Sequence, residues 1–114
     1  MAVIKSQINT NSESFRTNAE AMQIIEQDLQ DKVATIVQGG GVKSQERHLS
    51  RGKLLPRARI KLLLDEGSPF LEFSQFAAYK VYEDNLPASG IITGIGRIQG
   101  QECIVVANDA TVKG

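Results

Sequence analysis

From Phe15 to Gln38 apolar residues return at intervals of three, four and seven positions: Phe15, Met22, Ile25, Leu29, Val33 and Ile36. That is the period of one helix face, so the spacing predicts a long amphipathic helix. Ser12, Ser14 or Asn18 can cap its start, and Gly39-Gly40-Gly41 ends it. A helix of about 24 residues spans roughly 36 Å, long for so short a chain, and its stripe is expected to dock on other protein. A second helix fits Lys43 to Ser50, with Lys43, Arg47 and Arg51 four apart on one face. A third opens at Pro56, whose missing N–H suits a first helical turn; Ile60, Leu63 and Leu64 form its expected buried side before Gly67.

Beyond Ser68-Pro69 the period changes. Weak alternation from Phe70 predicts a short strand, then an irregular stretch to Tyr82, and Glu83 to Ser89 reads as a surface loop around Pro87. Ile91 to Ile98 and Glu102 to Ala107 form the clearest strands, a hairpin joined across Gln99-Gly100-Gln101. Ile104-Val105-Val106-Ala107 is apolar on both faces, and no later helix follows to cover it. We therefore expect a piece of a larger polypeptide, poorly soluble or self-associating by itself. The expected divisions are a flexible amino terminus (1–14), a helical segment with a basic stretch (15–67) and the start of an incomplete α/β domain (68–114).

Composition adds little to this picture. With 114 residues, 41% hydrophobic and 23% charged, the chain is an ordinary globular one with room for about one domain. Cys103 is the sole cysteine and His48 the sole histidine, which excludes an internal disulfide and argues against a Cys/His metal site. The first ten residues lack a secretory h-region or a membrane-spanning run. Arg16 is the only arginine before residue 47, unlike a mitochondrial presequence, so a bacterial cytoplasm is expected ahead of a mitochondrial matrix.

Charge changes the picture more. The net charge is zero, yet residues 1–42 carry −2, residues 43–61 carry +6 and residues 62–114 carry −4. In the basic segment Lys43, Arg47, Arg51, Lys53, Arg57, Arg59 and Lys61 stand against the single acid Glu46. A solvated face, a phosphate-bearing cofactor or an acidic partner subunit all suit such a run. Nucleic acid suits it less, because residues 43–61 contain no aromatic for base stacking. The glycines of Gly94-Ile95-Gly96-Arg97-Ile98-Gln99-Gly100 lie inside a strand with the wrong spacing for a dinucleotide turn, so close packing is the expected role of Gly94 and Gly96. Cys103 lacks a neighbouring base and is expected as a buried core thiol; His48 is expected on a helix face, within reach of an anion.

Three stretches read together carry a family resemblance: NAEAM (18–22), QGGGVKSQERHLSRGKLLPRARIKLLLDEGSPFLEFSQFA (38–77) and LPASGIITGIGRIQGQECIVVANDATVKG (86–114). They resemble the amino-terminal end of carboxyltransferase (beta) subunits of biotin-dependent acyl-CoA carboxylases, over about residues 15–114. LLPRARI, SPFLE, SQFAAY, GIITGIGRI and ANDATVKG are similar to the 3-methylcrotonyl-CoA branch more than to the propionyl-CoA branch.

The resemblance implies a crotonase-like fold, a superhelix of ββα units whose first hairpin is Ile91 to Ala107. It also implies transfer of a carboxyl group from carboxybiotin, carried on a partner subunit, to 3-methylcrotonyl-CoA in leucine breakdown. The enolate-type oxygen of that reaction needs backbone N–H donors. In the family these lie on glycine-rich turns beyond residue 114, so no catalytic residue and no activity of its own are expected of this chain. Arg47, Arg51 and Lys53 are the expected neighbours of coenzyme A phosphates, and Ala110, Thr111, Lys113 and Gly114 the expected lining near its thioester end. No metal is implied. Expected partners are a biotin carboxylase or biotin-carrier subunit and further carboxyltransferase subunits, with no nucleic acid or membrane. Two alternatives stay open: a propionyl-CoA or geranyl-CoA carboxyltransferase, and a non-catalytic helical interaction module.

Overall fold

A computed structural model describes residues 3–81 and 86–113, as two compact units, residues 1–32 and 33–114. Its elements are helices α1 (Glu13–Ile36), α2 (Val42–Leu49) and α3 (Pro56–Leu63), then strands β1 (Phe70–Phe73), β2 (Ile91–Ile98) and β3 (Gln101–Asn108). The expected α/β class is met by three helices and one three-stranded antiparallel sheet, ordered β1-β2-β3.

In the first unit the body of α1 starts two residues earlier than its periodicity predicts. Of the three candidate caps the structure uses Ser12, whose Oγ accepts the Phe15 N–H at 3.2 Å while donating to the Asn9 carbonyl at 2.8 Å. Polar pairs one turn apart, Gln27 to Asp31 (2.8 Å) and Gln30 to Glu26 (3.1 Å), line the helix surface, and Lys32 pairs with Asp28. Met22 and Ile25 are 61% and 62% exposed, so this part of the apolar stripe is left open.

In the second unit α3 lies on the inner face of the sheet. Pro56 is its first residue, and Ile60 packs with Ile92 and Val105 as the buried core; Leu64, Phe70, Ile98 and Ala107 press around them. Leu63 departs from expectation: it is 51% exposed. Ile60 and Leu64, which ends the helix in an extended conformation, fill the side turned to the sheet, and Leu63 is left on the flank of that face.

The glycines of β2 explain how the strands close up. β1 pairs with β2 so that Phe70 faces Gly96 and Glu72 faces Gly94. A β-carbon at Gly94 would lie 2.5 Å from both the Leu71 carbonyl oxygen and the Phe70 ring, and one at Gly96 would lie 2.3 Å from a Leu64 methyl. Close packing is therefore the role of both residues, as their place in the strand predicts.

The hairpin turn is shorter than expected. Gln99 and Gly100 form a two-residue turn with φ of 50° and 78°, and Gln101 belongs to β3. Both positive values suit a type I′ turn, whose twist matches that of the strands. Asp65, just past α3, clasps it: one carboxylate oxygen accepts the Gln99 N–H at 2.6 Å and the other the Gly100 N–H at 2.8 Å. The Asp65 N–H also donates to the Arg97 carbonyl at 2.8 Å.

A second clasp joins α3 to β1. Arg57 donates to both oxygens of Glu72 at 2.6 and 2.8 Å, and Gln75 adds a third donor at 3.1 Å. The Glu72 side chain is only 9% exposed, so this forked pair satisfies a carboxylate drawn into the inner face of the sheet.

Within β3 only one face is covered, as expected of a strand that is apolar on both faces with no later helix to cover it: Val105 is buried, whereas Ile104 and Val106 are 75% and 65% exposed. Two expectations need correction. Cys103 is half-buried near the hairpin end rather than a core thiol, its sulfur 3.7 Å from the Gln101 carbonyl. Residues 83–85 of the expected surface loop lie outside the described residues; in the part described, Ser89 is exposed as expected, but Pro87 and Ala88 are buried in a tight turn with positive φ at Ala88 and Ser89.

Candidate functional site

The basic segment does not act as one patch. Arg57 is committed to Glu72, while Arg47, Arg51, Lys53 and Arg59 distribute around two adjoining concavities of the second unit, which Lys43 and Lys61 do not line. Arg47 and Arg51, one helical turn apart on α2 and just beyond it, line the first together with Ser44 and His48. Its other wall is the segment after β3, Ala110 to Lys113, with Gly40 at the base, and its volume is about 390 Å³. Five of the seven residues singled out by sequence, Arg47, Arg51, Ala110, Thr111 and Lys113, thus meet in one open cleft although some lie more than sixty positions apart.

Lys53 is not in that cleft. It lines the second concavity, of about 470 Å³, with Leu54, Pro56, Arg59 and Asn108. His48 and Ala110 belong to both, forming the partition between them. The His48 Nε2 lies 3.1 Å from the Leu54 carbonyl; a carbonyl can only accept, so the geometry puts the proton on Nε2. This bond ties the end of α2 to the segment that leads into α3. Gly114 lies outside the described residues.

The floor of the first cleft is held by a compact hydrogen-bond system. The Asp109 N–H donates to the Gly90 carbonyl at 2.8 Å, and Asp109 Oδ1 accepts both the N–H (2.9 Å) and the hydroxyl (2.6 Å) of Thr111. The Thr111 Oγ1 in turn accepts the Gly40 N–H at 3.0 Å. Thr111 and Val112 are buried, so this wall is fixed rather than solvated. Gly40, Ser44, Asp109 and Arg59 are site or support residues that the sequence reasoning did not assign to the site, Gly40 being read as a helix end and Arg59 as one cation of the basic run. Asp-Ala-Thr is a recognisable Asx-turn pattern, and three glycines where a helix end needs one were a further signal.

Chemically, two guanidinium forks and an ammonium group converge on a polar cleft, with a less polar hollow beside it rimmed by Lys53 and Arg59. Such a donor set matches the planar, multiply charged oxygens of phosphates and diphosphates. The described residues hold no group of three His, Cys, Asp or Glu side chains placed to bind a metal ion.

Comparison with known proteins gives this geometry a setting. The carboxyl transferase domain family matches residues 47–114, which include Arg47, His48, Arg51 and the Ala110–Lys113 wall of the cleft but not Gly40 or Ser44. A probable mitochondrial methylcrotonoyl-CoA carboxylase beta chain from Drosophila melanogaster is 50% identical over 113 residues, covering 98% of this chain and 20% of that protein. The biotin-dependent 3-methylcrotonyl-coenzyme A carboxylase beta1 subunit of Mycobacterium tuberculosis is 56% identical over 87 residues, 76% of this chain and 16% of the relative. Among solved structures, the beta subunit of P. aeruginosa geranyl-CoA carboxylase superposes with a TM-score of 0.71 at 38% identity, covering 99% of this chain and 21% of that one. Its structural neighbours are crotonase-fold carboxyltransferases, of which the three helices and the sheet make up one part. The chain spans about a fifth of the length of the curated relatives it matches.

Proposed function

The chain belongs to the carboxyl transferase domain family, and from this we propose that it supplies the amino-terminal part of a carboxyltransferase (beta) subunit of a biotin-dependent acyl-CoA carboxylase. The acyl-CoA is 3-methylcrotonyl-CoA, the substrate named for the Drosophila and M. tuberculosis relatives, at 50% and 56% identity. The geranyl-CoA enzyme stands further away at 38%. The place of the reaction is leucine breakdown. Residues 15–67 are the helical preface, and residues 68–114 open the crotonase-like domain.

One observation carries the assignment of roles: Arg47, Arg51 and Lys113 converge on a single cleft. Coenzyme A presents a diphosphate and a 3′-phosphate, and forked guanidinium groups hold such oxygens through paired, charge-assisted hydrogen bonds. Lys53 and Arg59 at the neighbouring hollow extend the same field to a second anionic group. Ala110, Thr111 and Lys113 run along the ligand toward its thioester end, a role also assigned to Gly114, which lies outside the described residues. Carboxybiotin, borne by a partner subunit, supplies the carboxyl group when bound. The residues of this chain hold and orient the acyl-CoA; none is assigned a proton transfer.

The partners that follow are a biotin carboxylase or biotin-carrier subunit and further copies of the carboxyltransferase subunit, in keeping with the beta-chain names of the relatives. A bacterial cytoplasm is the proposed compartment, supported by the M. tuberculosis match; the Drosophila relative is mitochondrial. No described helix is long and apolar enough to cross a membrane.

Titration calorimetry of the chain with coenzyme A tests the assignment. Arg51→Gln with Lys53→Gln is expected to weaken binding by about tenfold or more, since a hydrogen bond to a charged group contributes ~1.5–3 kcal/mol. The loss should shrink as salt screens the wild-type charges. An affinity unchanged by the double substitution removes the basic segment from the site.

A further inference from the structure

We propose that Gly40, Thr111 and Asp109 form a latch that sets the width of the cleft between Arg47, Arg51 and Lys113, making them positioning residues for its anionic ligand. The inference takes the identity of that ligand from the acyl-CoA assignment above.

The two walls of the cleft come from distant parts of the chain. One is α2, which begins at Val42 just after the glycine run; the other is the segment leaving β3. They touch where Gly40 meets Thr111, 71 positions away. A β-carbon on Gly40 would lie 1.7 Å from the Thr111 carbonyl oxygen, 2.4 Å from its carbon and 3.1 Å from the Val112 nitrogen. All three are backbone atoms, which cannot turn aside as a side chain can. Glycine is therefore what lets the walls approach this closely. A β-carbon on Gly39 would likewise meet Asp109 Oδ2 at 2.5 Å.

The hydrogen bonds give the contact direction as well as closeness. The Thr111 hydroxyl donates to Asp109 Oδ1 and accepts from the Gly40 N–H, so its one proton and one lone pair are both used. Asp109 is itself fixed through its N–H to Gly90 and its carbonyl to the Val112 N–H at 3.1 Å. Thr111 is 8% exposed, so water does not readily replace these partners. Because α2 starts two residues after Gly40, the latch places the helix that carries Arg47 opposite the segment that carries Lys113.

Calorimetric titration of the chain with inorganic pyrophosphate and, separately, coenzyme A tests this, using Thr111→Val, Thr111→Ser, Gly40→Ala and Asp109→Ala. Serine keeps the hydroxyl and is expected to bind within about twofold of wild type. Valine keeps the shape but loses both bonds, and Gly40→Ala forces the walls apart; each is expected to bind roughly tenfold more weakly, the factor an ordinary hydrogen bond is worth. Asp109→Ala discriminates if those two fail to fold. It removes the acceptor of both Thr111 bonds together with a negative charge beside an anion cleft, so electrostatics alone predicts tighter binding, whereas a loosened latch predicts weaker binding.

Thr111→Val binding as well as Thr111→Ser, or Asp109→Ala binding more tightly than wild type, overturns the latch and leaves the acyl-CoA assignment standing. The expected ranking with pyrophosphate, but no affinity for coenzyme A, supports the latch and overturns the assignment. No binding of either probe to the wild-type chain overturns both.

Discussion

Replacing Gly94 by alanine puts a methyl group where no side chain can move far enough to receive it. The new carbon would stand 2.5 Å from the Leu71 carbonyl oxygen and 2.5 Å from the Phe70 ring. The first obstacle belongs to the backbone of β1, so β1 must shift away from β2. Overpacking of this kind costs ~1–3 kcal/mol, against which alanine in a strand gains about 0.5–1 over glycine. A net loss of about 2 kcal/mol is expected where the backbone has to yield, within the range of those two terms. Gly96→Ala is the control, two residues along on the same face. There the close atoms are side-chain ones, a Leu64 methyl at 2.3 Å and the Phe70 ring at 3.3 Å, with no backbone atom among them, so a rotamer change of Leu64 relieves most of the clash and the net cost is expected below about 1 kcal/mol. Urea unfolding, followed in an osmolyte that keeps the folded baseline in reach, measures both. With a slope of about 1 kcal/mol per molar for a small chain, the midpoints of the two variants should differ by roughly 1–2 M. A Gly96→Ala chain as unstable as Gly94→Ala would refute the packing argument.

Two further stability tests address the clasps. Arg57→Met strands the Glu72 carboxylate in the inner face of the sheet with only Gln75 as donor, and since Arg57 is itself partly exposed the loss is expected near the low end of the ~3–5 kcal/mol seen for buried pairs. Adding Glu72→Met should recover much of it; a double variant less stable than the single one would show that the pair is itself a net source of stability. Asp65→Ala removes the acceptor of two turn N–H groups and should cost about 1–2 kcal/mol in the same unfolding assay, with faster amide exchange at Gln99 and Gly100. Unchanged exchange at those two amides would mean that the turn holds without its clasp.

What the sequence made legible was whatever repeats locally. The three-and-four spacing of α1, Pro56 at the first turn of α3 and the apolar runs flanking Gln99-Gly100 each act over a few residues, and each element formed within a residue or two of its expected bounds. The shared face of Arg47 and Arg51 is legible for the same reason. The joining of Lys113 to that face is not, because it depends on where β3 delivers its exit segment; here the family resemblance, not the spacing, brought the residues together. Arg57 looked like one more cation of the basic run until β1 docked beside α3 and supplied Glu72. Leu63 went wrong because hydrophobicity shows only that a residue prefers burial, while exposure depends on whether another layer is there to bury it, as the open outer face of β3 also illustrates.

The small core has a thermodynamic corollary. Only Ile60, Ile92 and Val105 form its fully enclosed cluster among the described residues. Little new apolar surface becomes wet when so few aliphatic groups separate, and both the heat-capacity step and the enthalpy of melting scale with that surface. A calorimetric trace of this chain should therefore rise gradually over a wide span of temperature, as an intrinsic property of intact material rather than a sign of damage.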